Sequence, residues 1–147
     1  SDAGAPGMAD PGAEVVAQAH AEGIPVVAWP GPSSILLGLM ASGLGGQQFR
    51  FHGYLPHDAS ARKNVINRME RDASQGESQW FIETPYRNAK LFSELCQSLH
   101  PDTVLFIGLG LTGPNEWVKR NRVRTWRESG VPQELSEKEP AIWAIGR

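Results

Sequence analysis

The first twelve residues, Ser1-Asp2-Ala3-Gly4-Ala5-Pro6-Gly7-Met8-Ala9-Asp10-Pro11-Gly12, are dense in small side chains. Such a loop lets backbone amides approach a ligand closely. Asp10 followed by Pro11 predicts a helix start, because Asp accepts from first-turn amides and proline tolerates the first helical position. A second loop, Pro30-Gly31-Pro32-Ser33-Ser34, ends in two hydroxyls ahead of an apolar helix. Ser33 and Ser34 suit a carboxylate there, or serve as plain helix caps. Glu83 closes an apolar run two residues before Pro85, where a carboxylate can cap the following helix through its amides. Lys119, Arg120, Arg122, Arg124 and Arg127 follow Trp117 with no acidic residue among them. With Trp117 and Trp126, that stretch suits phosphates and a stacked base. Its alternative is an amphipathic strand turning Val118, Val123 and Trp126 to a core.

Other chemistries are poorly served. The four histidines, His20, His52, His57 and His100, have no recognised metal spacing, and no metal is expected. The single cysteine, Cys96, excludes an internal disulfide framework, fits a reducing cytoplasm and reads as a passive helix residue. A net charge of −2 gives no global argument for a nucleic-acid partner. No apolar run approaches the ~20 residues that cross a bilayer.

The elements that must position these residues alternate. Ala13 to Glu22 predicts a helix ending at Gly23, and Ile24 to Trp29 a buried parallel strand. Ile35 to Ser42 is the next helix, so two βα units present their loops on one sheet edge, where ligands bind. After Gly45-Gly46 a strand begins at Phe49, followed by a polar helix from Ala59 to Gln75 that carries Arg62, Lys63, Arg68 and Arg71. Trp80 to Thr84 predicts a strand, Pro85 to Leu99 a helix and Thr103 to Gly110 a strand. Glu116 to Trp126 and Ala141 to Ile145 are further candidates. The fold class is α/β: residues 1–46 end a parallel-sheet first domain, and residues 47–147 form a mixed-sheet second domain. The opening in mid-loop suggests that the chain is the C-terminal part of a longer protein.

Four ordered motifs carry a resemblance. They are Ser1-Asp2-Ala3-Gly4 through Asp10-Pro11-Gly12, Pro30-Gly31-Pro32-Ser33-Ser34, Gly53-Tyr54-Leu55-Pro56 and Phe81-Ile82-Glu83-Thr84-Pro85-Tyr86-Arg87. Together they resemble the tetrapyrrole methylase superfamily of S-adenosylmethionine (SAM) methyltransferases, and within it the branch that methylates cytidine 2′-hydroxyls of small-subunit ribosomal RNA. Pro140 to Gly146 resembles the superfamily's terminal strand. One departure stands out. That branch usually has Arg-Glu-Leu-Thr-Lys where this chain reads Leu109-Gly110-Leu111-Thr112-Gly113, which bears on substrate contacts more than on the cofactor.

The resemblance implies a SAM cofactor whose methionine half is lined by Gly4, Ala5, Ala9 and Asp10, with Ser33 and Ser34. Thr84, Leu111, Thr112, Pro140 and Ala141 would line the adenine and ribose. Methyl transfer from a sulfonium needs mainly alignment. A ribose hydroxyl also needs a base, for which Glu83 is the candidate. Lys119, Arg120 and Arg122 are the candidate RNA contacts. The implied partner is ribosomal RNA or the small subunit, in the cytoplasm, with a homodimer as the expected assembly. The alternatives are C-methylation of a tetrapyrrole precursor and a catalytically silent SAM-binding domain. The chain by itself is expected to hold SAM weakly and to be inactive.

Overall fold

Two continuous apolar runs occupy the middle of the fold because both of their faces are covered. Val104–Leu109 and Ala141–Gly146 are buried throughout, as strands with helices on both sides must be. The computed structural model describes residue 5 and residues 7–147. Five strands, β1 (Phe49–Tyr54), β2 (Ser78–Glu83), β3 (Val104–Leu109), β4 (Trp117–Arg122) and β5 (Ala141–Gly146), form one sheet in the order β1-β2-β5-β3-β4. β1 and β2 are parallel, and the other neighbours are antiparallel. The edge strands carry the basic residues, Arg50 in β1 and Lys119, Arg120 and Arg122 in β4. Charged edges discourage pairing with another sheet.

The helices are α1 (Ala13–Ala21), α2 (Ser34–Ser42), α3 (Ala59–Ser74), α4 (Asn88–Ser98) and α5 (Val123–Ser129). On one face of the sheet, Ile66 and Met69 of α3, Leu91, Phe92 and Leu95 of α4 and Trp126 of α5 pack with Phe81, Leu105, Ile107 and Trp143. On the other face α2 sets Ile35 with Trp80, Phe106, Ile142 and Ala144. Gly38 makes that contact possible: a Cβ there would lie 2.9 Å from Trp80 and 3.2 Å from Ile142. Gly38→Val is therefore expected to lower stability by about 1–3 kcal/mol through overpacking. Urea denaturation at unchanged m-value checks this.

Several expectations need correction. Ile24 to Trp29 is not a strand: among the described residues it has no ladder partner, and Val27 and Trp29 are 73% and 86% exposed. A parallel strand exists only beside a neighbour, and none of the five strands lies next to it. Asp10 and Pro11 do not open the first helix. α1 starts at Ala13 with Gly12 at its N-cap, where φ is 128° and no side chain caps the turn. β4 stops at Arg122, and Val123 and Trp126 belong to α5. Their spacing of three puts both on one helical face, where both are fully buried. Arg62 is no surface charge. Its guanidinium donates to both carboxylate oxygens of Glu94 and to the carbonyls of Pro56 and His57. The helix expected from Pro85 begins with a tighter 3-10 turn, Pro85–Arg87, before α4. Cys96 sits in α4, where burial pushes its thiol up to about 11, so it is a poor nucleophile. Among the described residues no helix is long and apolar enough to cross a membrane.

Candidate functional site

The ends of β2 and β3 and the start of β5 meet at one edge of the sheet, since Glu83 and Leu109 both pair with Ala141. Over that edge lies a cleft of about 360 Å³, within the range of small-ligand sites. Its sheet side is Ile82, Glu83, Gly108, Ala141 and Ile142. Its other walls are Ala5, Met8 and Ala9, then Ser33, Ser34 and Ile35 at the start of α2, then Leu111, Thr112 and Pro140. Gly108 keeps the floor low, because a Cβ there would come within 3.0 Å of Ile142. A larger cavity of about 480 Å³ lies at the opposite end of the sheet. Two of its charged groups are already engaged: Glu70 accepts from Thr103, and Arg122 pairs with Asp102.

The expected cofactor residues divide clearly. Ala5, Ala9, Ser33, Ser34, Leu111, Thr112, Pro140 and Ala141 all line the cleft, as does Glu83. Thr84 does not line it; its amide and hydroxyl turn back to Glu83 Oε1 at 2.8 and 3.3 Å. Asp10 flanks the lining residue Ala9, and its Oδ2 is buried without a hydrogen-bond partner. Gly4 lies outside the described residues. Ala9 and Thr112 hold positive φ, 58° and 69°, which costs a β-branched residue most. The Thr112 amide is held by Glu116 Oε2 at 2.6 Å, so backbone strain is concentrated on two opposed cleft walls.

Glu83 is 3% exposed. Its Oε1 accepts the Thr84 amide, just ahead of the Pro85 turn, while no side chain caps the turn itself. Its Oε2 lies 3.3 Å from an Arg87 nitrogen but makes no hydrogen bond of good geometry. Arg87 also donates to His57 Nδ1 at 2.6 Å. The carboxylate is thus anchored through Oε1 by a hydrogen bond, while its buried Oε2 faces the Arg87 cation.

The three basic candidates do not share a face. Lys119 pairs across the sheet with Ile107 and lies over the Trp126 ring at 5.4 Å, on the side of α5. Arg120 pairs with Phe106, on the cleft side, and is exposed. Arg122 is held by Asp102. Trp126 cannot stack a base, because it is fully buried and its indole N–H donates to the Leu105 carbonyl at 3.0 Å.

Tyr54 was missed by sequence reasoning. Phe51 pairs with Trp80 but Tyr54 pairs with Ile82, so β1 has one extra residue. Gly53, at φ 67°, absorbs this bulge. The bulge turns Tyr54 onto the cleft side, where it lines the cleft with Phe51. A glycine inside an alternating strand was the available signal.

The fold is shared with solved tetrapyrrole methyltransferases. The methyltransferase CobJ superposes with a TM-score of 0.59 at 15% identity, covering 98% of this chain and 62% of that structure. Uroporphyrin-III C-methyltransferase from Thermus thermophilus, complexed with S-adenyl homocysteine, gives 0.58 at 18% identity, covering 98% and 63%. No protein-family model matches the chain.

The curated proteins similar to the chain in sequence are named ribosomal RNA small subunit methyltransferase I. That of Vibrio cholerae is 32% identical over 119 residues, covering 81% of this chain and 40% of the relative. That of Mesorhizobium japonicum is 36% identical over 124 residues, covering 84% and 41%. That of Streptococcus pyogenes is 42% identical over 87 residues, covering 59% and 29%. The chain thus spans less than half the length of these relatives.

Proposed function

We infer that the chain is part of a SAM-dependent methyltransferase acting in the cytoplasm on small-subunit ribosomal RNA, at the 2′-hydroxyl of a cytidine. In this reading residues 1–46 belong to the first α/β domain and residues 47–147 to the second. The observation that carries it is the convergence of eight expected cofactor residues on one cleft beside a buried carboxylate. The names of the relatives support the RNA substrate over a tetrapyrrole.

The residues present fit the cofactor. Ser33 and Ser34 offer hydroxyls and helix-start amides to a carboxylate. Ile35, Ile82, Leu111 and Ile142 offer apolar walls to an adenine, and the open floor at Gly108 admits a flat ring. SAM supplies an electrophilic methyl group when bound. The chain's own residues orient and shield. The apolar walls exclude water, which strengthens electrostatics within the cleft. Glu83, fixed through Oε1, presents Oε2 to take the proton of an incoming hydroxyl. Arg120, on the cleft side of the edge strand, meets the RNA backbone beyond the reacting nucleotide, whereas Lys119 lies on the opposite face and Arg122 is paired with Asp102.

The test is transfer of a labelled methyl group from SAM by the full-length protein of which the chain is part to small ribosomal subunits lacking their modifications, alongside calorimetric titration with SAM. Label in RNA supports the reading. SAM binding without label in RNA overturns the substrate and leaves tetrapyrrole methylation or silent binding. Absence of both overturns the cofactor assignment for this chain.

A further inference from the structure

Of the base-stacking groups expected on the basic stretch, Trp126 is buried and Trp117 packs half-buried against it, yet two other aromatic rings stand exposed, one lining the cleft and one in the turn after Glu83. Tyr54 is 60% exposed on the cleft side of the β1 bulge, and Tyr86 is 81% exposed three residues beyond Glu83. Single exposed tyrosines are ordinary. Tyr54 lines the cleft with the buried Glu83, Tyr86 follows Glu83 in the Pro85–Arg87 turn, and cations accompany them. Lys138 Nζ lies 5.8 Å from the Tyr86 ring centroid. Arg87, next in the chain, joins Glu83 Oε2 to His57. His57 is three residues past Tyr54, and Arg62 fixes its carbonyl from below.

Resting on the RNA reading, we propose that the Tyr54–His57 and Pro85–Arg87 segments form the binding rim for a single-stranded nucleotide: Tyr86 stacks its base and Arg87 takes its backbone phosphate. The chemistry of the rim matches such a ligand. An aromatic face accepts any base, and a planar guanidinium binds phosphate through two parallel hydrogen bonds. Arg87 now donates to a ring nitrogen and approaches a carboxylate without good hydrogen-bond geometry, so a phosphate offers better acceptors. Its move to phosphate also leaves Glu83 Oε2 without its cation as the ribose arrives beside it. Gly53 contributes by turning Tyr54 inward. Glu139, next to Lys138, accepts from Asn115 at 3.1 Å.

The experiment is fluorescence anisotropy of a labelled ten-nucleotide single-stranded RNA titrated with the full chain, with and without saturating SAM, at two salt concentrations. Tyr86→Ala is expected to weaken binding about five-fold or more, and Tyr86→Phe to keep it within two-fold. Arg87→Gln is expected to flatten the salt dependence by about 0.7 in log–log slope, the loss of one phosphate contact. Arg68→Ala, on the exposed side of α3, controls for charge alone and is expected to change binding by less than two-fold. Tyr86 is too exposed for its replacement to unfold the chain. RNA binding by the wild type with Tyr86→Ala unchanged overturns the rim and leaves the RNA reading standing. No RNA binding by the wild type, with or without SAM, overturns both.

Discussion

Arg62→Ala is expected to destabilise the chain by about 3 kcal/mol, the cost of breaking a buried pair from one side. The Arg62 side chain is 4% exposed, and its donors reach Glu94 at 2.6 and 2.8 Å and the carbonyls of Pro56 and His57 at 2.8 Å each. Alanine leaves one carboxylate and two carbonyls to be solvated by whatever water enters. Glu94 is 29% exposed, which places the expected loss at the lower end of the range for buried pairs. The pair also predicts a pH dependence. The hydrogen bond from Arg62 holds the Glu94 carboxyl below its ordinary value of 4.5. A carboxyl lowered in the folded state contributes stability that is fully present above the unfolded value and is lost as pH falls through the folded one. The wild type therefore loses stability below about pH 4.5, and Arg62→Ala shows a shallower acid slope. Urea titrations of both proteins at pH 7 and pH 4 give the comparison. A loss under 1 kcal/mol at pH 7 would show that the pair is screened like a surface bridge.

The same arginine shows what a sequence conceals. In a polar helix beside Lys63 and Arg71, Arg62 has no local mark of burial; its partner lies 32 residues away in α4. Glu94 and the two carbonyls supply the compensation that makes burial tolerable. Tertiary context, not propensity, decides such a residue. Trp126 is similar. In an alternating strand Val118 and Trp126 would share one face and Val123 would lie on the other; in the fold the Val123 amide bonds to the Thr103 carbonyl and the Arg124 amide to that of Pro101. Those bonds fold the chain back after Arg122, and the spacing of three then reads as helix. Ile24 to Trp29 has the composition of a buried strand, and composition cannot supply a neighbouring strand.

The cleft was more legible than the core because it lies where strands end. Gly, Pro and Ser punctuate strand ends in a sequence, so the loops of Ala5 to Ala9, Ser33-Ser34, Leu111-Thr112 and Pro140-Ala141 were each visible. Topology alone brings them together. Orientation was not legible. Thr84 sits one residue past the strand end and points back at Glu83 instead of into the cleft. Lys119 and Arg120 adjoin in the chain yet face opposite sides of the sheet, since side chains alternate along a strand.

Glu83→Gln separates the two readings of the buried carboxylate, and under the proposed mechanism it is expected to lower kcat by about 100-fold or more. The substitution suits the question because it is nearly isosteric. An amide oxygen still accepts the Thr84 N–H, so the turn into Pro85–Arg87 keeps its anchor. What is lost is the capacity of Oε2 to take a proton. The amide nitrogen would face Arg87, but that side chain is 24% exposed and can turn towards solvent, limiting the structural cost. A base acts in the transition state, so KM for RNA and the affinity for SAM should stay within two-fold while kcat falls. A purely structural carboxylate gives the opposite pattern, with the midpoint of unfolding reduced and turnover per folded molecule nearly unchanged. Single-turnover methyl transfer, with protein in excess over RNA and folded protein quantified by circular dichroism, distinguishes the two. A kcat within five-fold of wild type would reduce Glu83 to the group that positions Thr84 and Arg87, and the search for a proton acceptor would move to Asp10, whose Oδ2 is the other buried carboxylate oxygen left without a partner.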